Sequence, residues 1–320
     1  MVATFVLRRL GAGILLLLTL SFLVFCLLGL SPGTPLQALL GTRPASPELV
    51  DSLNARYHLD DPFLVQYGRW LAGVCALDFG QSISVQSDAP VGQILSERMA
   101  LTLQLGGYAL VLILLVGIPL GMLAGIRRGR RTDRAISAGA TVAISAPAFV
   151  LAIVLLYVFG VALRWFPVYG TGTGFAERVS HLTLPAVALA TVLSGILVRQ
   201  TRAAMLTAVS QDFITFARLR GLSHGRVLVR YALRNAALPV VTSLGLILVA
   251  ALTSTLFIEQ VFSLPGIGTL LLAAVTNNDV PVVQGAVLVL GASVILTNLA
   301  VDLLGLALDP RTRFAVKDGA

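Results

Sequence analysis

Residues 101–126 read LTLQLGGYALVLILLVGIPLGMLAGI, and residues 127–134, which follow directly, read RRGRRTDR. The first stretch carries no charge over 26 residues. An α-helix rises 1.5 Å per residue and the hydrocarbon core of a bilayer is about 30 Å thick, so roughly 20 such residues cross it. The second stretch holds five arginines in eight residues, and charged side chains are costly inside lipid. A spanning helix that stops at its arginines is the repeating unit of this chain.

Upstream, the apolar run Leu10–Leu30 follows Arg8 and Arg9. A secretory signal has an apolar region of about 7–15 residues and an A-x-A-like cleavage site. This run is longer and ends in Ser31-Pro32-Gly33, so it reads as an anchor. Downstream come Ala135–Leu163, Leu182–Val198, Ala236–Ile258 and Val282–Leu308. Together they predict an all-α polytopic membrane protein with six transmembrane helices. Composition agrees: 57% of the 320 residues are hydrophobic and 12% charged, against about 25% charged in soluble domains.

Arginine and lysine number 17 on the N-terminal side of the predicted spans and 6 on the other. By the positive-inside rule both termini are cytoplasmic and the chain is multi-pass in the cytoplasmic (inner) membrane. The net charge of +8 is thereby a matter of topology. Nucleic-acid binding would need those charges gathered on one face with base-reading groups among them, so no nucleic-acid partner is expected.

Residues 31–97 form the one long external segment. Short helices are expected to start at Pro47-Glu48-Leu49-Val50 and Asp61-Pro62-Phe63-Leu64, with proline in the first turn. Tyr67, Trp70 and Leu71 lie three and four apart and share a face, which predicts a small helical cap. In the second span Gly117, Gly121 and Gly125 recur every four residues. Such a stripe lets helix backbones approach closely in lipid, inside the subunit or against a partner.

Enzyme chemistry finds no support. Gly29-Leu30-Ser31-Pro32-Gly33 fits G-x-S-x-G, but that elbow uses the N–H after the serine as oxyanion donor, and Pro32 has none. A nucleotide-binding P-loop ends in Gly-Lys-Ser/Thr, and the only lysine, Lys317, follows a valine. His58, His181 and His224 fall in separate polar segments, and Cys26 and Cys75 make no framework. No catalytic, metal or cofactor site is expected in this chain. Among ionisable groups in or near spans, Asp302 with Asn298 one turn before it, and Glu259, are candidates for a translocation path or for interhelix polar bonds.

Arg199–Asn235 is the longest internal segment. Ser210 can cap a helix with Asp212 in its first turn and Arg218 and Arg220 in its last, and Gly221 can end it. Phe213, Phe216 and Ala217 lie at i, i+3 and i+4 and form a small apolar face. Ser223 can begin a second helix running into Leu238-Pro239. By these residues alone the short helix either rests on the bilayer surface or docks on a soluble partner.

The same residues resemble the EAA loop of ABC importer permeases. Ala217, Gly221 and Leu238-Pro239 match its pattern, while Thr215 stands at the Glu position, Phe216 at the first Ala and Ala236 at the Ile. The match to the dipeptide/oligopeptide/nickel branch extends along the chain. Leu59-Asp60-Asp61-Pro62, Gln66-Tyr67 and Asp78-Phe79-Gly80-Gln81-Ser82 resemble the external segment of the first of its two permeases. Gly121-Met122-Leu123-Ala124, Ser145, Pro147 and Phe149 resemble its spans. Glu259, Val261-Phe262, Pro265-Gly266-Ile267-Gly268, Asp279, Pro281, Asn298, Asp302 and Asp309-Pro310-Arg311 resemble its C-terminal third.

The resemblance implies a type I ABC importer fold, with an anchor helix at 1–30, a permease domain at 98–308 and a cytoplasmic tail at 309–320. It implies a second homologous permease, two ATP-binding subunits or one fused, and an external solute-binding protein, with ATP and magnesium in the partner ATPases. Phe213, Thr215, Phe216, Ala217, Gly221, Leu238 and Pro239 would then carry ATPase coupling. The rivals are a secondary transporter or channel working without ATP, for which broken helices and internal repeats would speak, and a non-transporting scaffold. The sequence shows neither feature clearly.

Overall fold

The computed structural model describes residues 2–30 and 61–308, and Pro47 and Asn54 singly. The expected helix start at 47–50, the turn after the first span and the tail at 309–320 lie outside the described residues. Eleven α-helices are described: α1 Val2–Leu30, α2 Phe63–Cys75, α3 Val91–Ile126, α4 Arg131–Ser145, α5 Ala148–Leu155, α6 Phe175–Val209, α7 Asp212–Leu219, α8 His224–Val227, α9 Leu233–Val261, α10 Ile267–Thr276 and α11 Val280–Leu308. Two π-helical segments, Leu156–Ala162 and Leu228–Ala232, extend α5 and α8. Among the described residues five helical stretches are long and apolar enough to cross a bilayer, and six if α4 and α5 count as one bent span.

The third span departs from expectation. A continuous helix over Ala135–Leu163 is predicted, yet the axis turns by 96° between α4 and α5. Pro147 is the cause. Its ring disfavours helical backbone at the residue before it, and Ala146 accordingly takes φ −90° and ψ 129°. Pro147 then opens α5, where its missing N–H costs nothing. The absence of broken helices in the sequence is therefore corrected.

The chain divides into two compact units, one of Thr4–Leu103 with Pro265–Ile295, the other of Gln104–Leu264 with Met1–Ala3 and the chain from Leu296. In the first unit α2 lies on α1 through an aromatic cluster, with Phe25 5.3 Å from both Phe63 and Trp70 between ring centres. Tyr67 and Ser21 share a hydroxyl–hydroxyl bond of 2.8 Å. The expected Tyr67/Trp70 face is thus a packing face. A separate core joins Val91, Ile94 and Leu95 of α3 to Ile267, Leu270 and Ala274 of α10 and Val282 and Ala286 of α11.

In the second unit α6 is central and packs against α9, α4 and α5. The glycine stripe faces it. A Cβ on Gly117 would stand 2.7 Å from Leu197, on Gly121 2.5 Å from Thr201, and on Gly125 2.6 Å from Met205. The stripe serves close packing inside the subunit.

Candidate functional site

The segment between the fourth and fifth spans is shorter than its charges suggest. Residues 199–209 continue α6, and residues 224–235 already belong to α8, the second π segment and α9. Arginine at a helix end can lie along the helix with its head in water, so Arg199 does not stop it, and the charge of Arg202 is met by Asp133. What remains is α7 with its two flanking turns.

Ser210 does not cap α7. It ends α6, and its Oγ donates to the Thr207 carbonyl at 2.9 Å. The helix starts at Asp212, which puts a carboxylate in the first turn. Its C-terminus follows expectation: Gly221 has φ +73°, and the Leu222 N–H donates to the Ala217 carbonyl at 3.3 Å. This is the six-to-one bond of a Schellman ending, which glycine satisfies without a Cβ penalty.

The predicted apolar face splits in two. Ile214 and Ala217, one turn apart, are 1% and 5% exposed, so they pack inside the subunit. Phe216 and Leu219, also one turn apart, are 65% and 78% exposed. Phe213 is half-buried and Thr215 exposed. Phe213 and Pro239 line one cavity of about 830 Å³, together with Gln200, Gln211, Tyr231 and Asn235. Leu238 is half-buried beside Pro239. Ala217 is thus buried against its own chain, where it seats α7.

The three intramembrane candidates differ in surroundings. Glu259 is fully buried near the C-terminus of α9, and its carbonyl accepts from the Leu264 N–H at 2.8 Å. Asp302 is half-buried and Asn298 exposed, one turn apart on α11.

Two polar centres were not assigned a role from sequence. In the second unit Asp133, 3% exposed, takes Arg202 in a two-pronged pair: Nε to Oδ1 at 2.6 Å and Nη2 to Oδ2 at 2.9 Å. Oδ2 also accepts the Gly129 N–H at 2.8 Å and Oδ1 the Ser137 hydroxyl at 3.3 Å. Every lone pair has work, as a buried carboxylate requires. Its sequence signal was a single acid inside a run of five arginines.

The other centre is Asp279, fully buried in the first unit. Helix α10 ends in a Schellman motif: Asn278 takes φ +54°, and the Asp279 N–H donates to the Ala274 carbonyl at 2.8 Å. Asparagine tolerates that left-handed position. Asp279 Oδ2 then accepts four donors from residues 82–85: Ser82 Oγ at 2.6 Å and the N–H groups of Ile83, Ser84 and Val85 at 3.0, 2.9 and 3.0 Å. Three successive N–H groups converging on one oxygen form an anion nest.

A membrane-embedded helical chain with a short, capped helix between two spans, bearing an exposed apolar pair, fits known proteins along its whole length. The family described as "Binding-protein-dependent transport system inner membrane component" matches residues 117–314, and its N-terminal companion family matches residues 1–106. The dipeptide transport system permease protein DppB of Escherichia coli (strain K12) is 36% identical over 335 residues, covering 97% of this chain and 98% of its own. A Brucella ovis relative named among peptide permeases is 37% identical over 313 residues, with 96% and 98% covered. A Sinorhizobium fredii relative, named among peptide ABC transporter permeases, is 33% identical over 313 residues, with 97% and 99% covered. The chain belongs to the family of inner membrane components of binding-protein-dependent transport systems.

Proposed function

We propose that this chain is one permease of an ATP-driven importer for peptides or a related small solute, coupled to separate ATPase subunits through α7. The single observation that carries the coupling is the two-sided build of that helix. Ile214 and Ala217 anchor it inward while Phe216 and Leu219 protrude. Exposed aromatic side chains on a rigid element are the kind that fill a partner's pocket and dominate its affinity. Peptide as the cargo is supported by the names of the relatives.

In this proposal residues 98–308 form the transport domain, paired with a second homologous permease and served by two ATP-binding subunits, or one fused, and an external solute-binding protein. ATP and magnesium act in the ATPase chains, since no Gly-Lys-Ser/Thr occurs here. Both termini are cytoplasmic. Glu259, Asn298 and Asp302 serve as interhelix polar groups or line the path. The bend between α4 and α5 is the one feature that favours a secondary transporter, and family membership outweighs it.

Phe216→Asp tests coupling. Phe216 is mostly solvent-exposed, so the subunit should reach the membrane in normal amount yet lose both its ATPase subunits and uptake. Ala217→Glu, in contrast, would place a charge inside the subunit and lower the amount of the chain itself. A Phe216→Asp complex that stays assembled and active would overturn the assignment.

A further inference from the structure

The loop joining α3 to α4 carries more positive charge than its surroundings answer. Arg127, Arg128, Arg130, Arg131 and Arg134 are all exposed, and none forms an ion pair with a described residue. The one acid in the run, Asp133, is already held by Arg202 and the Gly129 N–H. Positive-inside topology explains why arginines sit here, but it leaves five of them without a counter-charge among the described residues.

Directly beside this turn, in the same unit, α3, α4 and α6 wall a groove of about 320 Å³. Gly139, Ala140, Ala143, Ala190 and Gly195 give it depth, and Leu120 and Ile136 stand at its end nearest the arginines. Its polar side chains are Thr191 and Ser194, and the Thr191 hydroxyl donates to the Val187 carbonyl at 2.7 Å. Leu120 precedes Arg127 by seven residues and Ile136 follows Arg134 by two. At 1.5 Å per residue the groove therefore begins within about 10 Å of the basic turn.

We propose that this groove and the arginines 127–134 together form a binding site for an anionic phospholipid of the inner leaflet. The acyl chain lies in the groove and the phosphate is held by the arginines. Each half alone fits several ligands, and the pair fits one class. A peptide would leave its backbone groups unbonded along the apolar walls. Free phosphate would use only the arginines. An apolar helix of a second permease would fill the groove and leave the arginines unanswered. Basic pockets between spanning helices on the cytoplasmic side are suited to anionic headgroups, each basic residue adding a separate increment of attraction.

The full-length chain would be reconstituted in nanodiscs, with retention of phosphatidylglycerol against phosphatidylcholine read by native mass spectrometry. The wild type should retain phosphatidylglycerol selectively, and 10 mM inorganic phosphate, on the order used for a weak competitor, should not displace it. Arg128→Gln with Arg131→Gln should lower that preference roughly thirty-fold. A Cβ on Gly139 meets nothing within 4 Å, so Gly139→Leu can enter the groove without displacing the backbone, and it should lower retention as well. Equal retention of both lipids by the wild type, or displacement by phosphate, would overturn the site. Loss on arginine removal without any effect of Gly139→Leu would reduce it to surface attraction and overturn it too. If Gly139→Leu instead abolished pairing with a second permease and left lipid retention unchanged, the groove would be a subunit seam.

Discussion

Removing the Asp279 carboxylate should release residues 82–85. Four donors converge on its Oδ2, and they differ in what happens without it. Ser82 and Ile83 are 1% and 5% exposed, so the Ser82 hydroxyl and the Ile83 N–H would be stranded. Ser84 and Val85 are half-buried, and water can reach them. A buried donor left without an acceptor costs about 1–3 kcal/mol, so two of them put Asp279→Ala at roughly 2–6 kcal/mol. With a tenfold change per 1.4 kcal/mol, amide exchange at 83–85 should accelerate between about thirty-fold and about 10⁴-fold. Asp279→Asn should be milder. It keeps one acceptor oxygen, and its amide can take the place of Oδ1, which has no bonding partner. Neutral hydrogen bonds are about half as strong as charge-assisted ones. The measurement is hydrogen–deuterium exchange of the segment 80–90 in the full chain. Unchanged protection in Asp279→Ala, or Asn as damaging as Ala, would refute the reasoning.

Gly121→Ala would place a methyl 2.5 Å from Thr201 Cβ and 2.7 Å from the Val198 carbonyl; overpacking of this kind costs about 1–3 kcal/mol, and an unshifted thermal unfolding midpoint in detergent would contradict it. Arg202→Ala strips a buried carboxylate of its cation and should destabilise by about 3–5 kcal/mol, visible as loss of folded chain on detergent extraction. Arg202→Lys should recover only part, because lysine lacks the planar fork. For orientation, Cys75 is exposed and an impermeant maleimide should label it in cells with a permeable outer envelope, while Ser210→Cys should stay unlabelled; the reverse pattern would invert the topology.

Hydropathy located the spans well because lipid imposes one requirement on every residue of a run. It located their ends less well. Helix α3 starts at Val91 rather than Leu101, and α6 runs on to Val209 rather than stopping at Val198, since helices continue into water where hydropathy no longer registers them. Prolines were ambiguous for a related reason. Pro119, Pro185 and Pro239 lie inside continuous helices, whereas Pro147 breaks one, and nothing local in the sequence separates the two cases. On α7 the turn chemistry of Gly221 was legible, but the expected face of Phe213, Phe216 and Ala217 mixed an outward position, Phe216, with an inward one, Ala217. Only packing tells that the smaller pair, Ile214 and Ala217, is the inner one. The Asp279 nest joins residues 197 apart in the chain, a tertiary pairing with no local signature.

The glycine stripe also fixes a direction. Gly117, Gly121 and Gly125 meet Leu197, Thr201 and Met205 in that order, so α3 and α6 run parallel. Two parallel crossings of a bilayer must be separated by one return journey. The chain leaves α3 at Ile126 and enters α6 at Phe175, and Arg131–Ala162 is the only long apolar stretch between them. Had that bent pair dipped in and come back out on its own side, α6 would have started at the wrong surface and met the stripe in reverse order. The two arms, about 22 Å each by helical rise, still reach roughly 30 Å end to end across a 96° turn, which is the thickness of the hydrocarbon layer. The kinked pair is therefore a sixth crossing, and a helix broken in the middle of the membrane is how this chain gets back to the far side.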